Sequence, residues 1–381
     1  MYLSSYGLLF RAYDLSPISY MRILYAIQGT GNGHISRARD VIPLLQGKGD
    51  LDVLISGTEA DVELGHPVKY TMKGLSFVFG KKGGVDLMAT YKKAKTKRFY
   101  NELCSLQVQQ YDIVISDFEP VSAWACRLYG KPCYALSHQS AVLNENAPIP
   151  NVVDPVGRWI LKNYAPAAVR FGFHFSQYDE NIFTPLIRKE IRDAVITCKG
   201  HYTVYLPSYS DRKILRVLCE LKNVDWQVYS KHAEYAYNVG NVHFFPISNR
   251  SFVESMVSSK GIICGAGFEA PAEALFLGKK LIVVPMKNQY EQQCNAASLA
   301  QLGVPILKKL NAGAIRKIEA WLKSDQEITV DFPDCTAEII NKLFQVHERM
   351  GEISLLPQKK DILSLKQLRK ILFRNAQIQN D

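Results

Sequence analysis

Short, nearly continuous apolar runs alternate along this chain with stretches in which apolar residues return every three or four positions. Residues 22–27, Arg-Ile-Leu-Tyr-Ala-Ile, make the first such run and predict a strand buried on both faces. A glycine-rich turn follows, and then a helical pattern over 36–45. Further strands are predicted at 52–56, 111–116 and 131–136, with a helix over 121–128 between the last two. Strand, helix, strand in this rhythm predicts a parallel sheet with helices on both faces.

The rhythm loosens between about residues 144 and 200, where Pro148, Pro150, Pro155, Pro166 and Pro185 stand among many aromatics. It then restarts, with strands expected at 201–206, 226–229, 242–246, 260–264 and 280–285 and a helix over 211–221. The pattern therefore predicts two similar α/β units: a first domain over 21–192 and a second over 193–350. Residues 1–20 contain Leu8-Leu9-Phe10 but no basic lead and no long apolar run, so a signal peptide is not expected there. They are expected to lie outside the fold, or to be a start-codon artefact. At the other end, over 351–381, Leu365, Leu368, Ile371 and Leu372 share one helical face, and Lys366, Arg369, Lys370 and Arg374 fall elsewhere. An amphipathic tail helix that packs back across the domains is expected, with attachment to a membrane as the alternative.

Composition changes this picture little. A chain of 381 residues suits two domains, and 47% hydrophobic with 22% charged residues excludes a disordered or collagen-like protein. The formal charge of +10 favours acidic partners: nucleotides, anionic membrane surfaces or nucleic acid. Nucleic acid fits poorly, because no binding motif is present and no aromatic and basic residues interleave on strands. Lys92, Lys93, Lys95, Lys97 and Arg98 crowd one helical stretch beside Leu87, Met88, Tyr91 and Phe99. That helix either rests on anionic lipid or presents a solvated charged face. No apolar run is long enough to cross a bilayer. The eight cysteines form no Cys-x-x-Cys pair, which suits free thiols in a reducing compartment. A cytoplasmic protein is expected, with peripheral contact at the inner face of a membrane as an option.

The candidate chemistry lies in two glycine turns. The first is Gln28-Gly-Thr-Gly31-Asn32-Gly33-His34, between the first strand and its helix. Such a turn offers backbone N–H groups and a helix N-terminus to an anion. It is neither the dinucleotide fingerprint, because His34 stands at the third glycine position, nor a Walker loop. The positive end of the helix dipole favours neutral imidazole at His34, which can then take a proton from a hydroxyl. A histidine that only hydrogen-bonds its turn is the alternative. Asp117 follows the 111–116 strand, and His138 follows the next one, so both fall on the ligand-bearing edge of the first sheet. Asp117 could orient His34, replace it as base, or cap the helix near Pro120. His138 could touch an acceptor or be structural.

The second turn is Gly265-Ala266-Gly267-Phe268, leading into a helix that carries Glu273 about one turn later. A carboxylate there can accept two hydrogen bonds from vicinal hydroxyls, although a solvent-facing glutamate is the commoner case. A strand ending at Pro285 then leads to a polar loop with Gln289 and Gln292.

Together these segments resemble the GT-B glycosyltransferases near family 28, the group of the peptidoglycan lipid-intermediate N-acetylglucosaminyltransferase and the galactolipid synthases. The first turn is similar to their Gly-x-Gly-Gly-His loop, with Asn32 replacing a glycine. The second is similar to their Gly-Gly-Phe-x-x-x-x-Glu-Ala-Leu pattern, here Ala266-Gly267-Phe268 to Glu273-Ala-Leu275, followed by Gln292-Gln-Cys-Asn295-Ala296. The likeness covers residues 21 to about 310. It implies two Rossmann-like domains facing a cleft. It also implies a nucleotide-diphosphate sugar donor, UDP-linked in that group, and a hydroxyl acceptor such as a lipid-linked sugar or a glycan. By this resemblance Glu273 holds the donor ribose, the Gly265–Phe268 turn the diphosphate, and Gln289 and Gln292 the sugar. Residues 242–246, with Phe245, line the base pocket, while Gly31, Asn32, Gly33 and His138 form the acceptor side.

The reaction expected is an inverting single displacement, with His34 or Asp117 as base and helix N–H groups meeting the charge on the leaving diphosphate. No cofactor and no metal are expected, because no Asp-x-Asp stands beside a donor-site strand. An epimerase or hydrolase on the same architecture, or a non-catalytic nucleotide-sugar-binding protein, are the alternatives.

Overall fold

The computed structural model describes residues 21–30, 32–57, 63–75, 96–152, 154–287, 289–325 and 327–353. Gly31, the extension 1–20, Lys92, Lys93, Lys95 and the tail face around Leu368 lie outside the described residues.

The first sheet is built from β1 (Arg22–Gln28), β2 (Asp50–Ser56), β3 (Tyr70–Met72), β4 (Ile113–Asp117), β5 (Tyr134–Leu136), β6 (Val169–Phe173) and β7 (Ile182–Phe183). Its order is β3-β2-β1-β4-β5-β6-β7 and every pairing is parallel. The second is built from β8 (Tyr202–Tyr205), β9 (Trp226–Ser230), β10 (Tyr237–Val239), β11 (Val242–Pro246), β12 (Gly261–Gly265) and β13 (Lys280–Val284). Its order is β10-β11-β9-β8-β12-β13, parallel except for the β10–β11 edge pair.

Apolar side chains on both faces of the central strands explain the continuous runs. Along β1, Ile23, Tyr25 and Ile27 enter one core, while Leu24 and Ala26 enter the core on the opposite face with Trp124, Leu103 and Tyr111. In the second sheet Ile262 and Cys264 face one core, and Ile263 faces another with Trp226, Trp321 and Phe244.

The loosely patterned stretch is more ordered than its prolines suggest. Pro155 opens the helix Pro155–Tyr164 at its first turn, where a missing N–H costs nothing, and Asp154 caps it through Gly157 N at 2.8 Å. β6 and β7 then extend the first sheet. The helix Thr336–Ile353, which follows the second sheet in the chain, returns to the first. Tyr134 Oη lies 3.0 Å from His347 Nδ1, and Lys342 donates to the Glu180 carbonyl at 2.6 Å.

In each sheet the strand order reverses beside the first strand, between β1 and β4 and between β8 and β12. Loops leaving the carboxyl ends of neighbouring parallel strands diverge at such a point and open a crevice. The first crevice receives the turn before His34 together with Asp117, and the second receives Gly265–Phe268. The two crevices face each other.

Candidate active site

The helix after the first turn spans Asn32–Gln46, four residues longer at its start than the pattern alone suggests. Asn32 is therefore the first helical residue, and His34 lies in the first turn. Asn32 needs no left-handed backbone, since Phe118 (φ 55°) is the non-glycine residue with positive φ among the described residues. Phe118 follows Asp117 directly, and strained backbone of this kind gathers at functional sites.

Asp117 does not cap the next helix. Glu119 does, accepting from Val121 N and Ser122 N, both at 2.6 Å. Asp117 is instead fully buried, 2.8 Å from His34 Nδ1 at its Oδ1. Arg37 Nη2 donates to both Asp117 oxygens, at 2.8 and 2.7 Å. Burial works to raise the Asp117 carboxyl, but Arg37 and then His34 outweigh it and hold the group below its usual range.

The His34 tautomer follows. A carboxylate at 2.8 Å requires the proton on Nδ1, which leaves Nε2 as the accepting nitrogen. Gln139 Nε2 faces that nitrogen at 3.5 Å and donates to Glu291 Oε2 at 3.3 Å. Gln139 Oε1 is buried without a partner. His34 keeps 14% of its side chain exposed, while Asp117 is fully buried.

Arg37 also reaches the other domain. Its Nη1 donates to Glu269, the first residue of the helix Glu269–Phe276, and its guanidinium lies 4.6 Å from the Phe173 ring centroid. A Cβ on Gly33 would come within 2.8 Å of Glu269 Cγ, so the two turns pack face to face. Burial raises the Glu269 carboxyl to about 7, with Arg37 pulling the other way.

Across the cleft a cavity of about 290 Å³ is lined by both turns, including Asn32, Gly33, His34, Gly265, Gly267 and Phe268. The Glu269–Phe276 helix has no side-chain cap, and a Cβ on Gly267 would meet nothing within 4 Å. Its first N–H groups are thus open to an anion. Glu273 lines the same cavity. It is buried, with both oxygens engaged by Arg188 (Nε–Oε1 2.5 Å, Nη2–Oε2 2.8 Å), a residue of the loose stretch that sequence reasoning passed over. Each oxygen keeps a lone pair for a further donor.

The other expected residues divide. Gln292 lines the cavity and accepts from Met286 N at 2.9 Å. Gln289 starts the helix Tyr290–Gln301, with Oε1 buried and unpartnered. Ala266 is buried, its carbonyl accepting from Asn295 at 3.1 Å. Phe245 stacks 5.6 Å behind Tyr229, and Tyr229 is the ring that lines the cavity. His138 is 1% exposed and does not open on the cleft; it lies 2.8 Å from the Phe173 carbonyl and 2.7 Å from Asn295 Oδ1, and stacks on Phe268 at 3.8 Å. Its position joins the two domains. Among the described residues no three His, Cys, Asp or Glu side chains gather as a metal site, and no helix is long and apolar enough to cross a membrane.

A larger hollow of about 580 Å³ opens at the other end of the second sheet. Its Lys279 and Lys280 ammonium groups are each tied to two backbone carbonyls, and it lies away from both crevices.

With this geometry described, comparison with known proteins is decisive at the level of family. The profile of glycosyl transferase family 1 matches residues 21–324. The chain belongs to glycosyl transferase family 1. It is a glycosyltransferase of GT-B architecture, the architecture that its two glycine turns imply. MurG from Acinetobacter baumannii superposes with a TM-score of 0.52 at 15% identity, covering 87% of this chain and 99% of that one. Phytolacca americana UGT2, solved with UDP-2fluoro-glucose and pterostilbene, gives 0.51 at 16% identity over 93% and 99%. A UDP-glucosyltransferase from Polygonum tinctorium gives 0.52 at 14% over 92% and 98%. These likenesses concern the fold. Curated protein sequences give no match.

Proposed function

We propose that this glycosyltransferase moves a sugar from a nucleoside-diphosphate donor, with UDP as the expected nucleotide, to an acceptor hydroxyl, and that it inverts the anomeric centre. The observation that carries this reading is the His34–Asp117 pair at 2.8 Å, with His34 lining the cavity it shares with the donor-side turn. The acceptor hydroxyl gives its proton to Nε2 while its oxygen attacks the anomeric carbon from the face opposite the diphosphate. The bond from that carbon to the diphosphate oxygen breaks, and the diphosphate leaves with the electron pair. Its charge is met by the open N–H groups at the start of the Glu269–Phe276 helix. Asp117 stays ionised and shares the proton of Nδ1 with the imidazolium; being fully buried, it orients the base and does not replace it. Glu273, oriented by Arg188, accepts from the ribose hydroxyls. Gln292 takes the sugar, and Tyr229 flanks the base.

A thermal-shift panel of nucleoside diphosphates and their sugars tests the donor assignment, since a ligand that binds the native state raises its apparent stability. UDP or a UDP-sugar should raise the melting temperature. A panel without response would remove the donor assignment. Release of free sugar without any acceptor would identify a hydrolase instead.

A further inference from the structure

The proposed mechanism gives no task to Arg37, yet Arg37 is the most heavily engaged side chain at the site. It is 3% exposed, with Asp117 on one side, Glu269 on the other and the Phe173 ring against its face. Asp117 and His34 belong to the first sheet's crevice, whereas Glu269 belongs to the helix at the donor crevice. One cation therefore serves two carboxylates from two domains. Its Nη2 also lies 3.1 Å from His34 Nδ1, and both of those nitrogens aim their protons at the same Asp117 oxygen.

The consequence is electrostatic. A carboxylate beside an imidazole stabilises the imidazolium, and a guanidinium on the same carboxylate cancels that help. Where Arg37 faces Asp117 alone, its charge is spent there and less of the Asp117 charge is left for His34. Where the donor domain brings Glu269 to Nη1, part of that charge is drawn away and Asp117 serves His34 more fully. We propose that Arg37 is a positioning residue that ties the strength of the base His34 to closure of the donor domain, through its ion pair with Glu269. The inference rests on the assignment of His34 as base. It makes proton abstraction efficient only when the turn that holds the diphosphate lies against the acceptor side. Burial lifts the Glu269 carboxyl to about 7, so the link is complete above that pH and weakens below it.

The groups around His34 are few. Arg37 comes from its own helix, Asp117 from the end of β4, Glu269 from the donor helix, and Gln139 with Glu291 behind it from the Tyr290–Gln301 helix. Tyr25 on β1 stays neutral, because burial and then Asp117 hold its hydroxyl well above the usual range.

The test is the pH at which the His34 ring titrates, followed by NMR in the unliganded full chain for wild type, Arg37→Met, Arg37→Lys and Glu269→Gln. Arg37→Met should move the titration up by about one unit or more, because Asp117 and Glu269 lose their cation. Glu269→Gln should move it down by about one unit, because Arg37 then falls wholly to Asp117. Arg37→Lys should stay nearest wild type. The acid limb of the transfer rate should shift in the same directions. A merely structural role for Arg37 predicts no shift in Glu269→Gln, in which Arg37 itself is unchanged. Unchanged titration in Glu269→Gln, whose partly exposed site tolerates the change even where Arg37→Met fails to fold, would overturn the proposal. Should wild type transfer no sugar, the reading of His34 as base fails while the ring titration still decides the electrostatic link.

Discussion

The two crevices are built alike and equipped differently. Each lies where the strand order turns back beside a first strand, and each carries a glycine turn running into a helix. On the first side the working groups are side chains: His34, partly exposed, with buried Asp117 and Arg37, mutually hydrogen-bonded. On the second they are largely backbone, an uncapped helix start with Gly265 and Gly267 before it. Proton transfer needs a titratable atom held in one tautomer, which only a supported side chain provides. Holding a diphosphate needs several donors converging on one place, which a helix start supplies without any side chain. Substitutions should therefore fall in two groups, with the first side sensitive to charge and the second sensitive to shape and to the Glu273–Arg188 pair.

The largest effect expected is on the first side. Asp117→Ala leaves buried Arg37, with His34 next to it, beside an empty position. Stripping one partner from such a pair typically costs about 3–5 kcal/mol, and the melting temperature should drop accordingly. Asp117→Asn keeps the volume and should fold better, yet lower the transfer rate by roughly a hundredfold or more, the scale of general-base catalysis. Near-wild-type turnover in folded Asp117→Asn would erase the contrast between the two sides.

On the donor side, Glu273→Gln should weaken UDP binding by roughly 1.5–3 kcal/mol, the range for hydrogen bonds to a charged group. Calorimetry reads this directly. Glu273→Ala is the poorer test, because it also removes the bidentate partner of Arg188. Undiminished affinity in a folded glutamine variant would remove Glu273 from the ribose site.

Smaller and subtler is the pH dependence of stability. Asp117 is held below the usual carboxylate range, so its stabilisation is present above about pH 3.9, the unfolded value, and is lost as pH falls through the lower folded value. Glu269 works in the opposite sense. With its carboxyl raised to about 7, its stabilising term is full below about pH 4.3, the unfolded value, and is lost as pH rises through 7. The melting temperature of Glu269→Gln should accordingly fall less than that of wild type between pH 5 and pH 7, on the order of a few degrees. Parallel curves for the two proteins would contradict the raised Glu269 carboxyl.

How much of this was legible in the sequence differs between the two sides as well. Glycine turns announce themselves, and strand ends can be read from apolar runs, so His34, Asp117 and the Gly265–Phe268 turn were all visible. What could not be read is what each side chain touches. Arg37, three residues after His34 on one helix face, carries the signal of an arginine beside a glycine turn, but its partner Glu269 lies 232 positions away. Arg188 was hidden because β6 and β7 are short and set among prolines, so the linker between the sheets looked irregular. His138 was legible as a strand-end residue, yet its ring turns inward to Asn295 and Phe268, a contact between domains that periodicity cannot reveal. Phe245 was one layer off, since Tyr229 on the neighbouring strand β9 stands in front of it.

The central claim is that His34 removes the acceptor proton while the other domain holds the donor. It is tested most directly by measuring transfer rate and UDP affinity side by side for His34→Ala, in protein shown to be folded. The account predicts a rate lower by roughly a hundredfold or more, with UDP affinity unchanged, because the base touches the acceptor and the donor is held by Gly267, Glu273 and Gln292. A folded His34→Ala protein that retains near-full turnover, or that loses UDP binding in proportion to its rate, would contradict it.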